Sequence, residues 1–236
     1  MEGKSHFIGG SVGVMVGYIY LSKQGMLVSD INPVLQACIM YPFGIHGGML
    51  PDIDHHKDAT PLKDPVNMVI NRVIHIPNVI RKSKPYTLAV KDGSFLDRIV
   101  KFLCVNHRSW QTHGIEVFAL LVYFTYLLMT SHSNSANHKV LLLVLLGECL
   151  GMASHLILDY LTTEGVPFAS ISLLKVFFPK LPLPTRLSFV PKTSSGFFST
   201  GHTWELVIRE LLKASSYFLV IYIVLGWLGY SITFVH

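Results

Sequence analysis

Charge is scarce in this chain. Only 14% of its 236 residues are Asp, Glu, Lys or Arg, against about 25% in a typical soluble domain. Half of the residues are hydrophobic and the mean hydropathy is +0.46. That balance excludes an ordinary soluble enzyme and points to an integral membrane protein. Cysteine is scarcer still. Cys38, Cys104 and Cys149 show no C-x-x-C spacing, which excludes a disulfide framework and a thiolate zinc site. The N-terminus has no small-residue cleavage site and only Lys4 ahead of its first apolar stretch, so that stretch is expected to be retained. A net charge of +5 raises nucleic acid as a partner, but basic residues flanking membrane spans are the commoner cause. Nucleic acid is therefore not expected as the main partner.

Five apolar stretches approach membrane length, at about 7–21, 33–50, 115–130, 140–161 and 217–235. Their glycines, Gly9, Gly10, Gly13 and Gly17 in the first and Gly44, Gly47 and Gly48 in the second, suit close helix contact. Five spans put every Lys and Arg except Lys23 and Lys139 on the side of the N-terminus. The excess of positive charge places that side in the cytoplasm. The expected fold is all-α: a polytopic bundle of about five spans in one integral membrane domain, residues 1–236, with the N-terminus inside and the C-terminus outside.

Residues 56–106 form a cytoplasmic insertion. Within it Asp64-Pro65 opens a helix to about Arg81, and Ser94 caps another to about Val105. Phe95, Leu96, Ile99, Val100 and Leu103 fall on one face of the second. Such basic amphipathic helices either lie on the inner leaflet or pack as a small cap on protein.

The polar residues gather at one end. "MLPDIDHH" at 49–56 places Asp52, Asp54, His55 and His56 directly after the second span. His6 precedes the first span, and "HRSWQTHGIE" brings His107, His113 and Glu116 to the third. His155 and Asp159 close the fourth, while His202 and Glu205 precede the fifth. All of these are cytoplasmic ends. His155 and Asp159 are four apart, so a helix aims both along one face. Glu148 lies deeper on much the same face, where an ionisable group faces the bundle interior. His113 and Glu116 are expected to share a face. Asp52 and Asp54 offer alternate carboxylates in a short extended segment that begins at Pro51. A mixed imidazole and carboxylate set suits Zn²⁺, Mn²⁺ or Fe²⁺, with room for two or more ions, and hydrolysis by metal-activated water is the natural chemistry.

At these residues the sequence resembles the YdjM-like family of LexA-regulated, membrane-bound, metal-dependent hydrolases. The matching pieces are His6, "LPDIDH" at 50–55, "HRSWQTH" at 107–113, "SHLILDYLTTEGV" at 154–166 and "TGHTWE" at 200–205. Ser109 and Gly114 depart from the family pattern. The resemblance implies metal ligands at His6, Asp52 or Asp54, His107, His113, His155 and Asp159. It also implies a core like that of zinc-dependent phospholipase C and single-strand nuclease, enzymes that cleave phosphate esters. His55, Glu148, His202 and Glu205 are further candidates.

The function expected is a phosphoesterase acting at the inner leaflet on a lipid headgroup or lipid-linked phosphate. Asp54 or Glu116 would serve as general base and Arg108 would stabilise transition-state charge, with Lys101, Arg186 and Arg209 also available for anionic oxygens. Two other classes compete. A cation or proton transporter would use the face of Glu148, His155 and Asp159, and an inert membrane adaptor would carry a structural metal site.

Overall fold

A computed structural model describes residues 3–54, 65–105, 109–131, 133, 135–162, 164–189 and 203–229. It is almost entirely helical. Four long helices form the centre: α1 (Gly3–Lys23), α2 (Pro33–Met49), α9 (Ala136–Tyr160) and α11 (Thr203–Trp227). α2 lies against α9 and α1; α1 also packs on α9 and α11. α8 (Ile115–Thr130) flanks α9 on its other side.

Local chemistry sets the ends. Asn32 caps α2, its side chain accepting from the Val34 N–H at 2.8 Å, with Pro33 at the first helical position. Ser135 caps α9 in the same way through the His138 N–H. After α2 the chain tightens into a 3₁₀ turn over Leu50–Asp54 rather than the extended segment expected. Proline fixes φ near −65°, which the first turn of a helix accepts, so Pro51 carries α2 on into the tighter turn without unwinding it.

Glycine decides how closely the central helices approach. A Cβ built on Gly48 would stand 2.7 Å from Gly10 Cα and 2.9 Å from the His6 carbonyl oxygen. One on Gly151 would overlap the Gly44 carbonyl, and one on Gly10 would reach that same oxygen at 2.7 Å. These are backbone atoms, so α1, α2 and α9 meet where any side chain would force them apart. Beside this seam Val14, Tyr18, Met40 and Leu143 form the main apolar cluster.

Among the described residues two helical segments are long and apolar enough to cross a membrane, Trp110–Thr130, which joins a short turn to α8, and Ala136–Tyr160. The other three expected spans differ for readable reasons. α2 has 17 residues, α1 is diluted by glycine and serine, and α11 starts at Thr203 and carries Glu205, Arg209, Glu210 and Lys213 in its first half. The apolar stretch expected at 217–235 is thus the second half of a helix that begins 14 residues earlier and is described to Trp227.

Within the insertion, the helix expected from Pro65 to Arg81 is two, α3 (Pro65–Ile74) and α4 (Ile76–Lys82). They break at His75, where Pro77 sits in the first turn of the second. α5 (Lys84–Ala89) and α6 (Phe95–Leu103) follow. Ser94 caps α6 as expected, accepting from the Asp97 N–H. α6 packs on α4 and on α10 (Ala169–Phe177), with Phe95 and Phe177 ring centroids 5.5 Å apart. Two short antiparallel strands, β1 (Val166–Pro167) and β2 (Arg186–Leu187), bracket α10.

Candidate metal centre

Five side chains from four places in the sequence meet at one end of the bundle. His6 comes from the start of α1 and Asp52 from the 3₁₀ turn after α2. His113 ends the single turn α7 (Trp110–His113) just before α8, and His155 and Asp159 lie one turn apart near the end of α9. All five are buried.

Their distances carry the reading. Asp159 Oδ1 is 3.5 Å from His6 Nε2; its Oδ2 is 3.6 Å from His113 Nε2 and 3.3 Å from His155 Nε2. Asp52 Oδ1 is 3.5 Å from His113 Nε2 and 4.0 Å from His155 Nε2. These separations are longer than ordinary N–H···O hydrogen bonds. Ligand atoms at the roughly 2.0–2.2 Å of zinc bonds, arranged tetrahedrally, stand about 3.3–3.6 Å from one another. The cluster therefore has the spacing of atoms around a shared ion. Two triplets bring their ligand atoms within 4.8 Å of one another, His6 with His155 and Asp159, and Asp52 with His113 and His155.

The outer contacts turn the ring nitrogens inward. His155 Nδ1 is 2.7 Å from the Gly48 carbonyl oxygen, which can only accept. Nδ1 therefore carries the proton and Nε2 presents a lone pair to the cluster. His113 Nδ1 lies 2.9 Å from Thr112 Oγ1, and that hydroxyl donates onward to the Ser109 carbonyl. The His6 ring stacks on His155 with centroids 3.6 Å apart, and neither of its nitrogens has a hydrogen-bond partner among the described residues. Buried imidazole nitrogens without partners are costly, and a metal removes that cost.

Asp52 shows the same balance. Burial alone would raise its carboxyl pKa, but the imidazoles of His113, His155 and His6 hold it well below the usual carboxylate range. Two buried carboxylates, Asp52 and Asp159, face three buried imidazoles, a donor set that suits a divalent cation.

The remaining sequence candidates lie outside the two triplets or outside the described residues. Glu116 is not gathered into either triplet. Its carboxylate accepts from the Ala169 N–H at 3.0 Å, the Ser170 N–H at 2.9 Å and the Ser170 hydroxyl at 2.7 Å, holding the first turn of α10. The expected common face with His113 fails because Gly114 is extended (φ −68°, ψ 135°) and separates α7 from α8. Glu148 pairs with His46 Nδ1 at 2.7 Å, between α9 and α2. Glu205 is buried beside the centre and accepts from the Ser5 hydroxyl at 2.8 Å, one residue before His6. His55, His107, Arg108 and His202 lie outside the described residues, as does the side chain of Asp54. Thr112 and the Gly48 carbonyl are the contributors that sequence reasoning missed; a threonine next to a ligand histidine is the only local signal of the first.

A helical protein with spans long enough for a membrane and a buried His/Asp cluster at one end defines a class: a membrane protein with a candidate metal site. The chain matches the model of the YdjM inner membrane protein family over residues 1–235, and it belongs to that family. No curated protein and no solved structure matches it.

Proposed function

We propose that the protein is a membrane-bound, metal-dependent hydrolase, a phosphoesterase acting on a lipid headgroup or lipid-linked phosphate at the inner leaflet. The observation that carries this is the five-residue cluster, whose nitrogen and oxygen atoms have ligand-to-ligand spacing and whose δ nitrogens at His113 and His155 are already engaged. His6, Asp52, His113, His155 and Asp159 would hold the metal, Zn²⁺ by ligand type with Mn²⁺ or Fe²⁺ as substitutes. When bound, such an ion lowers the pKa of a coordinated water and polarises a phosphoryl oxygen. His155 has one inward nitrogen and so serves one ion. Asp159 has an oxygen toward His6 and another toward His113 and His155, so both of its oxygens would be available to hold metal. Asp54, two residues from Asp52, is our candidate for accepting the proton of the attacking water, and Arg108 for meeting anionic oxygen.

The cluster sits at the starts of α1 and α8 and at the ends of α2 and α9. With five spans and the basic residues gathered on that side, it would face the cytoplasm, and the C-terminus would lie outside. The phospholipase C-like core proposed here draws on the same pattern of helix-borne histidines and aspartates. The test is elemental analysis of folded, detergent-purified wild type beside His155→Ala/Asp159→Ala, followed by a phosphoesterase screen. Bound transition metal in the wild type alone, with metal-dependent hydrolysis, is the expected result. Absence of metal from the wild type after reconstitution with Zn²⁺ and Mn²⁺ would overturn it.

One observation favours a second reading. The half-buried pair of Glu148 and His46 lies between two helices of the bundle, as a step of a proton or cation path would. Flux in proteoliposomes that Glu148→Gln abolishes would support transport.

A further inference from the structure

A second polar site lies outside the His/Asp cluster. A cleft of about 430 Å³ between α1, α2 and α11 is almost wholly apolar, but another of about 350 Å³ opens between α6, α7 and α10 and is lined by Arg98, Lys101, Lys175 and Arg186. Among the described residues no Asp or Glu lines this second cleft. Its volume falls within the roughly 300–1,000 Å³ of small-molecule sites.

Four cations from three segments are not placed together at no cost, so what each one does matters. Lys101 is neutralised from behind, 2.8 Å from both Asp92 and Asp97. Arg98 gives Nη1 to the Val176 carbonyl at 2.8 Å, while its Nε is buried with no hydrogen-bond partner among the described residues. Lys175 makes no ion pair among those residues. Arg186 stands on β2 opposite Pro167, which also lines the cleft. An ammonium with no ion pair among the described residues, at Lys175, with the guanidinium groups of Arg98 and Arg186 lining the same concave site, is a donor set that suits a phosphate group.

The cleft is tied to the metal centre through short, fixed links. Ser109 and Trp110 line it, and the Ser109 carbonyl accepts the His113 N–H at 2.9 Å. Trp110 stacks on Phe102 with ring centroids 4.8 Å apart and donates its indole N–H to the Phe102 carbonyl. Glu116, immediately after the ligand segment, holds the α10 turn that leads to Lys175. We infer that this cleft is a phosphate-binding site, separate from the metal ligands, that takes a phosphate group either free or on a lipid headgroup.

The test is isothermal titration of detergent-purified full-length protein with inorganic phosphate and, separately, with a short-chain phosphatidic acid. Wild type is compared with Lys175→Gln, Lys175→Gln/Arg186→Gln and the metal-ligand variant His155→Ala/Asp159→Ala. Lys180→Gln, outside the cleft, controls for net charge. Each lost cleft cation is expected to weaken binding about tenfold, while Lys180→Gln binds as wild type does and cleft binding persists in the metal-ligand variant. Chelator-treated wild type replaces that last variant if it does not fold, and Lys175→Gln alone serves if the double cleft variant does not. Binding of both probes fits a phosphate in either form, and binding of the lipid alone assigns the headgroup. No binding of either probe, unchanged affinity in Lys175→Gln, or loss confined to the metal-depleted protein would overturn the inference. Phosphate binding in the cleft without any hydrolysis would retain it and count against the phosphoesterase reading alone.

Discussion

Thr112 is the residue whose side chain most directly orients a ligand without being one. Its hydroxyl donates to the Ser109 carbonyl and so can accept from the His113 Nδ1–H. Thr112→Val keeps the shape and removes that acceptor, so metal affinity measured by chelator competition should fall about 10–100-fold. Thr112→Ser should restore it. Glu116 gives the opposite test. If it holds α10 rather than taking a proton, Glu116→Gln should cost about 0.5–2 kcal/mol of thermal stability with metal content unchanged. The pair also shows where sequence reading works. His155 and Asp159 were legible because four residues of unbroken helix fix their common face, whereas the same logic failed for His113 and Glu116 because a single extended glycine, Gly114, resets the phase. Thr112 had no pattern of its own, since one hydroxyl beside a histidine is common in any sequence.

Among the elements, α6 is held by Asp97. This buried carboxylate accepts from Lys101, from the Gly93 N–H at 2.8 Å and from Arg81 at 3.2 Å, and the Lys101 ammonium leads in holding its pKa well below the usual range. A lowered carboxylate pKa contributes stability that is fully present above the unfolded value of about 3.9 and is lost as pH falls through the folded value. The packing of α6 should therefore be constant from neutral pH to about 5 and loosen only in stronger acid. Trp110 emission in a Trp204→Phe/Trp227→Phe background follows it, through the stack on Phe102. Asp97→Asn should remove the acid transition. The amphipathic pattern of α6 and its Ser94 cap were readable in advance. Its partner α10 was not, because nine residues bounded by two-residue strands carry too little periodicity to announce themselves.

For the whole molecule, the close approach of α1, α2 and α9 sets both stability and site geometry. Gly48→Ala drives a methyl into Gly10 and the His6 carbonyl, and an expected loss of about 1–3 kcal/mol should come with loss of bound metal. Gly9→Ala meets the Leu158 Cδ1 tip at 2.5 Å, a side chain that can turn aside, so its effect on melting in detergent should be much smaller. The glycine spacing made close helix contact legible from sequence. Which helices cross, and where, was not, because α11 begins well before its apolar half and α2 ends in a turn that keeps its direction. The proposed orientation predicts that a cysteine placed at Ser133 reacts with an impermeant maleimide from outside intact cells and one at Ser83 does not.

Gly48 belongs to two structures at once. It lies so close to Gly10 that a Cβ on either residue would meet the other's backbone, and its carbonyl fixes the tautomer of His155. The packing of α2 on α9, a helix long and apolar enough to cross a membrane, is therefore also the aim of an imidazole, and the tilt of such a helix answers to bilayer thickness. Reconstituted into lipids of graded acyl length, this protein should bind its metal with an affinity that passes through an optimum, making the membrane itself a tuning element of the coordination chemistry.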